Sequence, residues 1–308
     1  MFDLIIIGAG PAGTAAAVYA ARKQLKTLII TKEFGGQSVV SAEIYNWIGS
    51  KAISGSDLAK DLKEHAKDYE GEHLTIIEGH LVTETTKIGD GFSVSADNGE
   101  TYTTKTVLIV SGSGRRKLEV PGADTFENKG VVYCASCDGP LFADQNVAVI
   151  GGGNAGFESA AQLAAYCKSV TIIHRSAEFR ADQITVEKVL EKENVTALTN
   201  AVPTEVLGEK FVSGMKYKNK ETDEEVTIPV TGIFVEIGQI PNNTFLGDLV
   251  DLEPHGHIIV DPRTQRTSEA GIWAAGDITD ALYHQNNIAA GDAVKALENI
   301  YLYLHAGK

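Results

Sequence analysis

Two of the chain's three cysteines stand as Cys134-Ala135-Ser136-Cys137, and Asp138 follows directly. Thiols at this spacing close a disulfide with little loop strain, and a thiolate where a helix begins is stabilised by the backbone. A carboxyl group beside the second cysteine is placed to give and take a proton as the disulfide opens. The competing role for Asp138 is a turn former ahead of Gly139. A zinc site needs about four ligands. There is no second Cys-x-x-Cys, Cys167 falls inside a helical pattern, and the eight histidines show no metal-ligand spacing. The expectation is a redox dithiol of Cys134 and Cys137 with Asp138 as its acid, no metal, and Cys167 in the core.

A glycine signature lies on each side of this dithiol. Gly8-Ala9-Gly10-Pro11-Ala12-Gly13 follows an apolar strand at 3–7 and precedes an alanine-rich helix at 14–23, with a second strand at 27–30. Gly8 permits the tight turn, Gly10 lets a pyrophosphate approach the backbone, and Gly13 lets helix and strand pack closely. An acid normally ends the second strand to hold the ribose. Here Thr31-Lys32-Glu33 follows, so Glu33 is the nearest candidate, or else a solvated loop carboxylate. The second signature, Gly151-Gly152-Gly153-Asn154-Ala155-Gly156, follows a strand at 147–150 and opens a helix at 157–167, with Asn154 as a candidate cap. After the next strand, 170–173, comes His174-Arg175 in place of an acid. A guanidinium at Arg175, joined by Arg180, suits the 2′-phosphate of NADP over NAD, and His174 orients the loop.

These motifs need elements to hold them. A helix is expected at 56–69, a meander of strands over 74–104, a buried strand at 107–110, a helix at 182–192 and strands over 202–235. A strand ends in Gly276-Asp277, and a helix covers 286–302. This tail has no nucleotide core of its own and completes the first domain. The predicted fold is α/β, with two dinucleotide-binding (Rossmann-like) domains, the second inserted into the first. Residues 1–114 and 244–308 form one, and 115–243 form the other, which carries the dithiol. A length of 308 residues suits about two domains. A net charge of −14 argues against general binding of nucleic acid or anionic membrane. No apolar run approaches the ~18 residues of a spanning helix. No charged segment precedes a hydrophobic one at the start, so a cytoplasmic protein without a signal peptide is expected.

Taken together, Gly8 to Gly13, Cys134 to Asp138, Gly151 to Gly156 with His174-Arg175, and Ala275-Gly276-Asp277 resemble the low-molecular-weight thioredoxin reductases. The chain is also similar to the flavoprotein portion of the alkyl hydroperoxide reductase system. The resemblance spans nearly the whole chain. It implies FAD on Gly8, Gly10, Pro11, Ala12 and Gly13, with Glu33, Gly36, Gln37, Asn46, Gly276, Asp277 and Gln285. It implies NADPH on Gly151, Gly153, Asn154, Gly156, His174, Arg175 and Arg180. Electrons would pass from NADPH through flavin to the disulfide; Cys137 would face the flavin, and Cys134 would attack a thioredoxin or a thioredoxin- or glutaredoxin-like protein. It further implies a homodimer, and rotation of the inserted domain about hinges near Ser113-Gly114 and Pro241-Asn242.

The sequence departs from that pattern at three places. The phosphate loop reads His174-Arg175-Ser176 where the family usually has His-Arg-Arg, and Gly156 stands where alanine is common among NADP users; both open NADH as the donor. Pro140-Leu141-Phe142 replaces the aromatic pair after the dithiol and is closer to the peroxide-system reductase. That reductase carries thioredoxin-like domains ahead of its flavin strand, and here the chain starts at that strand, so a separate acceptor is expected. Four alternatives accompany the leading reading: an NADH-linked reductase of a peroxidase system, the same fold fed by ferredoxin, a dithiol oxidase, and a flavin sensor without turnover.

Overall fold

The computed structural model describes residues 1–41 and 44–306. The chain divides into two compact units, one of residues 1–40, 47–114 and 240–308, the other of 41–46 and 115–239. The sequence pattern returns the chain to the first unit at 243/244; by contacts it returns at 239/240, and residues 307 and 308 lie outside the described residues.

The first unit is built on β1 (Phe2–Ala9), α1 (Pro11–Arg22), β2 (Thr27–Phe34), α2 (Gly55–Lys67), β3 (Leu74–Glu78), β4 (Val82–Ile88), β5 (Gly91–Ala96) and β6 (Thr101–Ile109). Its sheet runs β3-β2-β1-β6-β5-β4. β1 pairs in parallel with both β2 and β6. Along β1, Leu4 and Ile6 belong to one core and Ile5 and Ile7 to another. The first core is closed by alanines of α1 and of the last helix, the second by Phe92, Phe245 and Ile258. A sheet buried on both faces has no solvent side, so β1 reads as an unbroken apolar run. Each such side chain contributes about 1.5–3 kcal/mol on burial.

Two details differ from the expected meander. β3 pairs in parallel with β2, and only β4, β5 and β6 form the antiparallel run. The buried strand at 107–110 is the second half of one longer strand, β6. The first half of β6 pairs with β5, and its second half pairs in parallel with Ile272–Ala274 of the tail. The tail thus completes the first sheet.

In the second unit the strands are β8 (Val131–Val132), β9 (Asn146–Ile150), β10 (Ser169–Ile173), β11 (Val195–Leu198), β12 (Ala201–Gly208), β13 (Val212–Asn219), β14 (Glu225–Ile228) and β15 (Gly232–Val235), and the helices are α3 (Ala135–Asp138), α4 (Asn154–Leu163) and α5 (Gln183–Leu190). A parallel sheet of order β11-β10-β9-β15-β8 is joined by an antiparallel β12-β13-β14 sheet. The chain passes between units through β7 (Ser113–Arg115) and β16 (Gln239–Pro241), which pair with each other. β17 (Ile272–Ala274) and α6 (Asn286–His305) close the first unit. No described helix is long and apolar enough to cross a membrane.

Both glycine turns are sterically closed. A Cβ on Gly13 would run into the carbonyl oxygen of Gly8, and one on Gly156 into that of Gly151. The backbone must then give way, at about 1–3 kcal/mol for overpacking. Gly13→Ala is therefore expected to lower the unfolding midpoint by roughly 3–10 °C and to weaken flavin retention. A melt that matches the unaltered chain would show that the turn is looser than described.

Candidate functional site

Cys134 and Cys137 form a disulfide, with Cα atoms 5.3 Å apart. Cys134 is the N-cap of α3, and its Sγ accepts a hydrogen bond from the Cys137 amide at 3.2 Å. Once the disulfide is reduced, that amide donor favours negative charge on Cys134. Asp138 ends the same turn. Burial pushes its carboxyl up to about 6, against the lowering pull of Arg115. It therefore keeps a protonated fraction near neutrality, which a solvated aspartate does not.

The loop is buttressed from α4 and its continuation. Ser136, between the cysteines, donates to Gln162 at 3.0 Å. The Tyr166 phenol packs so closely against Gly139 that no side chain fits there. Leu141 faces solvent, whereas Phe142 is buried edge-on against Phe234. Cys167 is 5% exposed, donates to the Phe142 carbonyl at 3.3 Å, and burial pushes its thiol up to about 11, so it is held inert.

The two glycine signatures fit a dinucleotide. α2 and α5 are capped by Ser54 and Asp182 side chains. α1 and α4 begin at Gly10 and Gly153 with no side-chain cap and no acid in the first turn. Their first amides are left for an anion. A Cβ on Gly153 would meet nothing within 4 Å, and one on Gly10 would first meet Gly36 at 3.9 Å. Space is open where phosphates would lie. Thr14 Oγ1, buried in the first turns of α1, has no hydrogen-bond partner among the described residues.

Around the first cradle the structure gathers most of the residues expected for FAD. Gly276 packs against Ala12 and Ala289, and Gly10 approaches Gly36. Ser38, beside Gln37, donates to Asn286 at 3.0 Å, which ties that loop to Gln285 and the start of α6. The Asp277 carbonyl accepts from Ser113. Glu33 is exposed near the end of β2, where its carbonyl accepts from Thr31. Asn46 belongs by contacts to the second unit.

Around the second cradle, Asn154 is the first residue of α4 and not its cap, which is Gly153. Its side chain instead accepts from the Asp182 amide at 2.8 Å. The helix stops at Leu163, four residues short of the expected end. The Arg180 amide donates to the Gly152 carbonyl at 2.8 Å, folding the 174–180 loop back onto the glycine turn. Arg175 and Arg180 are exposed on that loop, and neither forms an ion pair among the described residues. The His174 ring is buried under Gly152, and its Nε2 lies 2.8 Å from the Glu178 carbonyl, so it shapes the loop. Glu236, which no sequence motif singles out, stands beside Gly151.

Residues 2–295 match the family described as pyridine nucleotide-disulphide oxidoreductase. The chain is 40% identical over 303 residues to a Staphylococcus aureus protein named as the F component of alkyl hydroperoxide reductase, covering 98% of this chain and 59% of that protein. It is 39% identical over 303 residues to a Bacillus subtilis protein named NADH dehydrogenase, covering 98% of this chain and 58% of that one. It thus spans under two thirds of these relatives' length. The crystal structure of thioredoxin reductase from Streptococcus pyogenes MGAS5005 superposes with a TM-score of 0.89 at 34% identity, covering 99% of both chains.

Proposed function

The chain belongs to the pyridine nucleotide-disulphide oxidoreductase family, whose cofactors are FAD and a nicotinamide nucleotide, and we propose that it is a protein-disulfide reductase acting on a thioredoxin-like protein through Cys134. The observation that carries this reading is the Cys134–Cys137 disulfide, with an amide donor on Cys134 Sγ and a carboxyl of raised proton affinity beside it. Gly8, Gly10, Pro11, Ala12 and Gly13, with Gly36, Gln37, Gly276, Asp277 and Gln285, would hold FAD. Gly151, Gly153, Asn154, Gly156, Arg175 and Arg180 would hold the nucleotide. FAD, when bound, supplies a two-electron relay from the nucleotide to the disulfide.

The remaining steps belong to the chain's own residues. With the disulfide reduced, the Cys134 thiolate attacks one sulfur of the acceptor's disulfide. A mixed disulfide forms, and the acceptor's other sulfur leaves as a thiolate and takes a proton. The Cys137 thiolate then attacks Cys134 Sγ, expels the second acceptor thiolate, and restores the Cys134–Cys137 disulfide. Two electrons and two protons pass to the acceptor. Asp138 holds the proton that moves as the disulfide opens and closes. The test is nucleotide oxidation by the flavin-loaded protein: it should require an oxidised thioredoxin-like protein and stop in its absence. Equal oxidation without any disulfide acceptor would sink the proposal.

A second reading, an NADH-linked reductase serving a peroxidase, is favoured by Ser176 after Arg175, by Gly156 packed on the Gly151 carbonyl, and by the two curated relatives. Arg175 separates the two. An exposed guanidinium on a 2′-phosphate is a charge-assisted contact of about 1.5–3 kcal/mol. Arg175→Ala should then raise KM for NADPH by roughly 10- to 100-fold and leave KM for NADH nearly unchanged. Equal effects on both would remove the phosphate contact and favour the NADH-linked reading. Homodimerisation and a cytoplasmic location are part of the same proposal.

A further inference from the structure

The strand order of the second unit's parallel sheet reverses at its middle. From β9, strands β10 and β11 follow on one side, and β15 and β8 lie on the other. Where strand order reverses, the loops leaving the two central strands part, and ligands sit in the crevice beyond their carboxyl ends. Gly151 is the residue that leaves β9, and Glu236 is the residue that leaves β15. The two are adjacent. Val235 is in register with Ile150, the Glu236 amide donates to the Ile150 carbonyl at 2.8 Å, and a Cβ on Gly151 would strike the Glu236 carbonyl oxygen. The backbone of Glu236 thus lies against the glycine turn, so its side chain springs from the wall of the crevice, next to the phosphate cradle.

The surroundings of Glu236 hold it there. Ser159, 8% exposed and in the second turn of α4, donates to Glu236 Oε1 at 2.7 Å and fixes the carboxyl's orientation. Burial pushes the carboxyl up to about 7, against the lowering effects of Ser159 and Arg115 and with a further push from Glu158. A desolvated carboxyl retained in a crevice marks a group with work to do there. None of the steps assigned to Cys134, Cys137 and Asp138 uses it.

We propose that Glu236 is a further nucleotide-binding residue, whose carboxyl oxygens accept hydrogen bonds from the hydroxyl groups of the ribose on the nicotinamide side. This rests on the reading that the second unit binds a nicotinamide nucleotide. The adenosine half is the wrong target, because the loop bearing Arg175 and Arg180 leaves β10, on the opposite side of β9 from β15. A ribose diol offers two donors, and a carboxylate offers only acceptors, so the two are matched in kind. The contact does not sense the 2′-phosphate, which sits on the adenosine side.

Calorimetric titration of the full chain with NADH, NADPH and ADP tests this. Glu236→Ala should weaken NADH and NADPH by the same factor, roughly 10-fold, and leave ADP, which has no second ribose, unchanged. Glu236→Gln keeps one acceptor oxygen and should lose less than Glu236→Ala. Unchanged dinucleotide binding in Glu236→Ala would overturn the proposal. An equal loss of ADP would also overturn it, by making Glu236 a support of the turn. Should the unaltered chain bind neither dinucleotide, the underlying reading of this unit fails together with the proposal; tight binding that ignores Glu236 defeats the proposal alone.

Discussion

Cys134→Ser is expected to reduce turnover with a protein disulfide acceptor by on the order of 1000-fold or more, while the flavin-loaded protein still bleaches near ~450 nm when nucleotide is added. The reason is chemical and positional. Thiol–disulfide exchange requires a thiolate, and a serine hydroxyl neither ionises near neutrality nor forms the mixed disulfide. Of the two sulfurs, Cys134 Sγ is the one that accepts the Cys137 amide, so the backbone stabilises charge on Cys134 in particular. Cys167→Ser is the matched control, because that thiol is buried and bonded to the Phe142 carbonyl. Acceptor turnover measured alongside flavin bleaching checks both halves of the expectation. Full turnover in Cys134→Ser would remove this sulfur from the mechanism.

Asp138→Asn should slow acceptor turnover by about 100- to 10,000-fold, the usual contribution of a positioned acid or base. The amide keeps the shape of the side chain and loses the mobile proton. With a carboxyl raised to about 6, wild-type turnover limited by this proton should fall as pH rises through that value, and the variant should lack that limb. Stability follows pH in the same direction. The folded carboxyl binds its proton more tightly than at its ordinary value of 3.8, so its favourable contribution is full below that value and is lost as pH climbs through about 6. The variant should therefore melt above wild type at about pH 8 while remaining slow. A pH series of both turnover and unfolding midpoint makes the comparison, and a variant with the wild-type pH profile would show that Asp138 is not the acid.

The strand-turn-helix units around Gly8 and Gly151 were legible because their signals are local: an apolar run, glycines at fixed offsets, then a helix. The insertion was legible because the Gly276-Asp277 tail lacks a nucleotide turn, and β17 indeed pairs with β6. What failed depends on partners far along the chain. β3 looks like the start of a meander until β2 claims it in parallel. Asn154 has the chemistry of a cap, yet the Asp182 amide, 28 positions away, takes its side chain. The site shows the same division. The Cys134–Cys137 disulfide was legible from spacing. The raised affinity of Asp138 was not, since it comes from burial. Nor was Glu236, because its partner Ser159 is 77 positions away.

The central claim is that electrons from a nicotinamide nucleotide arrive at Cys134 and Cys137. It is tested most directly by adding NADPH or NADH anaerobically to the flavin-loaded protein, alkylating the thiols and mapping them by mass. The expected result is two new alkylated sites, Cys134 and Cys137, appearing together and only with nucleotide, and Cys167 unchanged. Flavin that bleaches while Cys134 and Cys137 stay joined would contradict the account.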